Sequence, residues 1–123
     1  MIIGIGTDII EINRIEKAIS KNSRFLEKLF TDDELLYFKS KKFKTETVAG
    51  SFAAKEAIAK ALGTGFSKIT MKDIAISRNG KGKPEITLYG NAKILANEMN
   101  TQNINITISH CKEYAVAFAI IES

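Results

Sequence analysis

The chain has 123 residues, is 45% hydrophobic and 26% charged, and carries a formal net charge of +4, which fits one domain over residues 1–123 with a modest core. A single cysteine and a single histidine exclude an internal disulfide and a zinc centre built within one chain. Its apolar runs are too short to span a bilayer, and Met1-Ile2-Ile3-Gly4 lacks the positive start of a signal peptide, so a cytoplasmic location away from membranes is expected.

Ile2 to Thr7 reads as a short strand with Gly4 and Gly6 between its isoleucines. Ile12, Ile15, Ala18 and Ile19 then mark one face of a helix. Thr31-Asp32-Asp33-Glu34 has capping-box spacing ahead of Leu35, Leu36 and Phe38, which starts a second helix. The strongest helical pattern runs from about Thr45 to Leu62. There Ala54, Ala57, Ile58, Ala61 and Leu62 share a stripe, and Gly63 supplies the stop. Small alanines on that stripe let the helix lie close to a sheet.

Strands dominate the second half. Asp73 to Ser77 and Glu85 to Leu88 flank a Gly- and Pro-containing loop over 79–84. Asn91 to Met99 reads as a helix with Ile94, Leu95 and Met99 inward. Ile104 to Ser109 alternates as a strand. After a tight turn near Cys111-Lys112, residues 114–121 form a last strand that is apolar on both faces, so both are expected to be covered. The predicted fold is α+β, a single domain with an antiparallel sheet packed against a long central helix.

The basic excess gathers at Lys39, Lys41, Lys42 and Lys44, and at Arg14, Lys17, Lys21, Arg24 and Lys28. Such a surface attracts anions: nucleic acid, a membrane, an acidic protein or a phosphorylated small molecule. Few aromatics, mostly core-like (Phe30, Phe38, Phe118), and no basic-aromatic signature argue against nucleic acid. Gly4 to Ile9 lacks the third glycine of a dinucleotide fingerprint, and Gly80-Lys81-Gly82-Lys83 lacks the Lys-Ser/Thr pair of a P-loop. Ser109 and His110, adjacent on a strand, face opposite sides and form no dyad.

A few side chains retain chemical interest. Asp8, just past the first strand, either caps the following helix or offers a hard oxygen ligand suited to Mg²⁺. Glu56 and Lys60 are either a solvated i,i+4 pair or a second ligand and a phosphate contact. Phe52 lies one turn before Glu56 on the same side, where a large aromatic needs cover. His110 is either a structural histidine at a strand end or part of a site.

Four segments in order carry a family resemblance. Gly4-Ile5-Gly6-Thr7-Asp8-Ile9-Ile10-Glu11-Ile12-Asn13-Arg14-Ile15 resembles the opening motif of the holo-acyl-carrier-protein synthases. The stretch Phe52-Ala53-Ala54-Lys55-Glu56-Ala57-Ile58-Ala59-Lys60-Ala61-Leu62-Gly63-Thr64-Gly65 resembles their central helix signature. Gly82-Lys83-Pro84 and Ile108-Ser109-His110, with Lys112-Glu113-Tyr114-Ala115, resemble the third and fourth segments.

The resemblance implies transfer of 4′-phosphopantetheine from coenzyme A to a serine of apo acyl carrier protein, in support of fatty acid biosynthesis. It implies Asp8 and Glu56 as Mg²⁺ ligands, Lys60 on the pyrophosphate, and Asp8 or a water polarised beside it as proton acceptor. Lys44, Gly82, Lys83, Pro84, Ser109 and His110 would line the nucleotide pocket. Arg14, Lys21, Arg24 and Phe25 would dock the acidic carrier protein. The resemblance further implies a homotrimer with sites shared between chains. Two positions depart from the family: Ser51, where an arginine is common, and Cys111, where threonine is usual.

Overall fold

A computed structural model describes all 123 residues. Five strands and five helices follow the order β1 (Ile2–Glu11), α1 (Ile12–Lys21), α2 (Phe25–Leu29), α3 (Asp32–Ser40), α4 (Thr45–Ala61), β2 (Ile74–Arg78), β3 (Pro84–Leu88), α5 (Gly90–Glu98), β4 (Asn103–His110) and β5 (Tyr114–Glu122). A three-residue 3₁₀ turn, Met71–Asp73, leads into β2.

Three strands form one antiparallel sheet in the order β1-β5-β4, and β2 and β3 pair as a separate hairpin. The expected strand at the N-terminus is present but longer. Pairing with β5 holds β1 to Glu11 opposite Tyr114, so Asp8 sits inside the strand opposite Ala117. It does not cap α1, whose cap position is Glu11 with no side-chain cap bond.

Alternation along β1 puts Gly4, Gly6, Asp8 and Ile10 on one face and Ile5, Thr7 and Ile9 on the other. The first face meets α4. Alanine-rich α4 has high helical propensity and is buried at Ala49, Ala53, Ala54, Ala57, Ile58, Ala59 and Ala61. It covers the β5 positions Ala115, Ala117, Ala119 and Ile121, all buried. Gly63, at φ +90°, ends the helix in the left-handed conformation that glycine adopts without steric cost.

The opposite sheet face is bare in the single chain. Ile5 is 62% exposed, Ile9 65% and Phe118 42%, with Tyr114 and Val116 beside them. This corrects two expectations: only one face of β5 is covered within the chain, and Phe118 is no core residue. A second, smaller core joins Ile12, Ile15, Phe30, Phe38, Val48, Ala49 and Ala115 beneath α1–α3, with Phe30 and Phe38 edge to face at 4.8 Å. The expected capping box is present at the start of α3, with both the Thr31 and Glu34 bonds made. In α5 Ala92 and Ala96 are buried and Leu95 and Met99 pack against the core as expected; Ile94, also expected inward, is 56% exposed.

Candidate active site

Asp8 reaches α4 because of the two glycines before it. Any Cβ at Gly4 would overlap the Ala61 carbonyl, and one at Gly6 would overlap the Ala57 carbonyl and lie 2.8 Å from the Ala61 nitrogen. Strand and helix backbones are thus in direct contact. The next residue on that face of β1 is Asp8, set beside the one stripe of α4 that is not buried: Phe52, Glu56 and Lys60 at i, i+4 spacing.

The Lys60 ammonium donates to the Thr7 carbonyl at 3.0 Å and to Asp8 Oδ1 at 3.2 Å. The reading of Lys60 as the partner of Glu56 in a solvated helix pair is therefore corrected: its carboxylate partner is Asp8, across on the strand. The Lys60 side chain is 52% exposed and that of Asp8 16%, so this ion pair contributes only about 0–1 kcal/mol to stability. Burial, and then the negative charge of Asp8, raise the Glu56 carboxyl above the usual carboxylate range, while Lys60 acts in the opposite sense. Asp8 and Glu56 thus share one electrostatic neighbourhood, with a half-exposed ammonium at its edge.

Two carboxylates that feel each other's charge are complementary to a divalent cation. No group of three or more His, Cys, Asp or Glu side chains could form a complete cage. A donor set of two carboxylates leaves the other positions to phosphate oxygens and water, the pattern Mg²⁺ favours.

The other expected site residues lie elsewhere in the chain. Lys44 is exposed at the start of α4, twelve residues and about 18 Å along the helix from Glu56. His110 and Ser109 end β4 opposite Ala115 and Val116, and both are exposed. Pro84 opens β3 opposite Arg78, and Gly82 and Lys83 belong to the β2–β3 turn. There Asn79 Oδ1 accepts from the backbone N–H groups of Lys81 and Lys83, and Gly82 has φ +82°. None of the five main cavities of the single chain is lined by Asp8, Glu56, Lys60, Lys44, Lys83 or His110. Ser51 is buried, and Cys111 is exposed.

On the outer surface, Arg14 and Lys21 are exposed on α1, and Arg24 precedes α2 with Glu27 at 3.9 Å. Phe25 is half-buried and packs against the second core, so only part of its ring is free. Sequence reasoning missed two features. The contact of Gly4 and Gly6 with α4 was signalled by glycines at alternate strand positions. The second is a buried ion pair of Lys55 and Glu34, 2.7 Å apart, which had no sequence signal beyond a lysine set among alanines.

Residues 4–119 match the model of the 4′-phosphopantetheinyl transferase superfamily. The holo-acyl-carrier-protein synthase of Clostridium beijerinckii is 53% identical over 123 residues, covering 100% of this chain and 99% of that protein. The chain belongs to the holo-acyl-carrier-protein synthases. Solved synthases share the fold as well. That of Neisseria meningitidis superposes with a TM-score of 0.91 at 35% identity, over 100% of both chains. That of Helicobacter pylori, solved in complex with coenzyme A, has a TM-score of 0.85 at 37% identity and covers 96% of this chain and 99% of that one. Asp8 lies in the segment that resembles the synthases' opening motif, and Glu56 and Lys60 in the segment that resembles their central helix. These are the three side chains that contact between β1 and α4 brings together.

Proposed function

We propose that Asp8, Glu56 and Lys60 carry the family's reaction in this chain: transfer of 4′-phosphopantetheine from coenzyme A to a serine of apo acyl carrier protein. The observation that carries this reading is the joining of β1 to α4 through Lys60, which bonds Thr7 and Asp8 while Glu56 feels the Asp8 charge.

Asp8 and Glu56 would hold Mg²⁺, which when bound neutralises pyrophosphate charge and orients the phosphates. Lys60, half exposed on its long stem, swings from Asp8 to a phosphate oxygen and offsets the charge that develops on the leaving group. The serine oxygen forms a bond to the β-phosphorus, and the bond from that phosphorus to the bridging oxygen breaks. The electron pair leaves on adenosine 3′,5′-bisphosphate, and the serine proton passes to Asp8 or to a water polarised beside it.

The nucleotide contacts are completed by neighbouring copies. Lys44, Gly82, Lys83, Pro84, Ser109 and His110 are spread over separate parts of one chain, and no main cavity unites them with Asp8. The bare apolar face of β1 and β5 is the surface that a second copy covers, which supports a homotrimer with sites between subunits. The exposed cations Arg14, Lys21 and Arg24 receive the acidic carrier protein, with the free edge of Phe25 as an apolar contact.

Mass spectrometry of apo acyl carrier protein incubated with the chain, coenzyme A and Mg²⁺ tests this function. The expected result is a mass gain of one phosphopantetheine that chelator abolishes. An unmodified carrier protein, or full modification in chelator, would refute it.

A further inference from the structure

Lys55 stands next to Glu56 in the central helix, yet it points away from solvent and is fully buried. Its ammonium makes three bonds: to the Leu29 carbonyl at 3.0 Å, to Glu34 Oε1 at 2.7 Å and to the Met71 carbonyl at 2.9 Å. All three donors of the ammonium are used. Its nitrogen also lies 4.9 Å from the centre of the Phe30 ring, a favourable place for a cation.

Glu34 is equally committed. Its Oε1 accepts from the Thr31 backbone N–H at 2.8 Å, and its Oε2 from the Ile76 N–H at 3.1 Å. One buried ion pair therefore ties α4 to the end of α2, the start of α3, the turn before β2, and β2 itself. Burial works against the charged form of Lys55, with Glu34 opposing that effect. A pair this deep is a poor source of stability compared with an apolar cluster of equal volume. Its directional bonds give something an apolar cluster lacks, a fixed rotation of the helix about its axis.

The placement shows what that rotation controls. On one side of Glu56, residue 55 is held by these three acceptors. On the other, residue 57 presents its carbonyl to Gly6 in the backbone contact with β1. Glu56 lies between two anchored neighbours, and a rotation of the helix about its axis would move its carboxyl relative to Asp8.

We propose that Lys55, through its buried bond to Glu34, is a positioning residue that fixes the rotation of α4 and so aims Glu56 at Asp8. The proposal rests on the reading of Asp8 and Glu56 as a metal pair, and its test separates the two. Mn²⁺ is titrated into the full chain with saturating coenzyme A and no carrier protein, and free Mn²⁺ is counted by electron paramagnetic resonance. The comparison is among the wild type, Lys55→Met, Glu34→Gln and Phe38→Leu. Glu34→Gln keeps the bulk of the buried cluster and is the milder change. Phe38→Leu hollows the second core and, although Phe38 packs on the Phe30 ring beneath Lys55, removes none of the hydrogen bonds of the ion pair.

At a temperature where all are folded by circular dichroism, Lys55→Met and Glu34→Gln are expected to weaken Mn²⁺ binding about 10–100-fold, the range for residues that orient a ligand from behind. Phe38→Leu lowers the melting temperature but leaves Mn²⁺ affinity unchanged. Affinity within twofold of wild type in Glu34→Gln, or an equal loss in Phe38→Leu, overturns the positioning role. A wild type that binds no Mn²⁺ overturns the metal reading, and the positioning role with it.

Discussion

Gly6 of β1 lies so close to Ala57 of α4 that a methyl group on the glycine would overlap the Ala57 carbonyl oxygen. Because the obstruction is backbone rather than a flexible side chain, the strand or the helix has to move. Gly6→Ala is therefore expected to cost about 3 kcal/mol or more, the upper range for overpacking a tight core. Activity should fall further than stability, since the displaced strand carries Thr7 and Asp8 away from Lys60. Thermal melts and initial rates on this variant check both parts; wild-type values in both would show that strand and helix do not meet there.

Glu56 gives a pH signature. Its carboxyl is raised by burial first and by Asp8 second. In the metal-free chain the folded state therefore binds this proton more tightly than the unfolded state. The stability that Glu56 contributes is fully present below its unfolded pKa and is lost as pH rises through its folded one. Carbon-13 NMR of the carboxyl should show a midpoint above the ordinary glutamate value. Asp8→Asn should lower it part of the way, leaving the effect of burial, and Lys60→Ala should raise it. An unchanged midpoint in Asp8→Asn would show that the two carboxyls do not interact.

Ile9 and Phe118 lie on the bare sheet face, on the side away from α4. Charges placed there leave the core intact and oppose any covering copy. Ile9→Asp and Phe118→Asp are expected to convert a trimer to monomers in sedimentation equilibrium and to remove activity with little loss of secondary structure. A monomeric, active wild type would contradict both the assembly and the sharing of sites.

Arg14 is exposed and unpaired on α1. Arg14→Glu is expected to raise KM for carrier protein by on the order of tenfold, to leave KM for coenzyme A nearly unchanged and to flatten the salt dependence, as rim charges do. A larger effect on coenzyme A would put α1 on the nucleotide side.

The fold was legible where local patterns decide it. Alanines at helical spacing gave α4, the Thr31–Glu34 box gave the start of α3, and alternation gave β4 and β5. Pattern failed where distant pairing decides. β1 was expected to stop at Thr7, since an aspartate is a common helix cap, but pairing with β5 carries it to Glu11. Apolar character alone misplaces Ile94, which is exposed, while Leu95 and Met99 pack inward as expected beside the smaller Ala92 and Ala96. Glu34 was legible as a cap partner but not as the buried mate of Lys55, because nothing in a 21-residue separation marks that pair. Asp8 and Lys60 stand 52 residues apart, and no local pattern marks their ion pair.

The central claim is that Asp8 and Glu56 act as one metal-holding unit, and a double-mutant cycle on transfer tests it most directly. kcat/KM for modification of apo acyl carrier protein would be measured for Asp8→Ala, Glu56→Ala and the pair combined. Each single change is expected to lower it by on the order of 10³-fold, about 4 kcal/mol, and the double variant should be less than about tenfold worse than the poorer single, as for residues that act together. Near-normal transfer in either single variant, or losses that simply multiply, would contradict it.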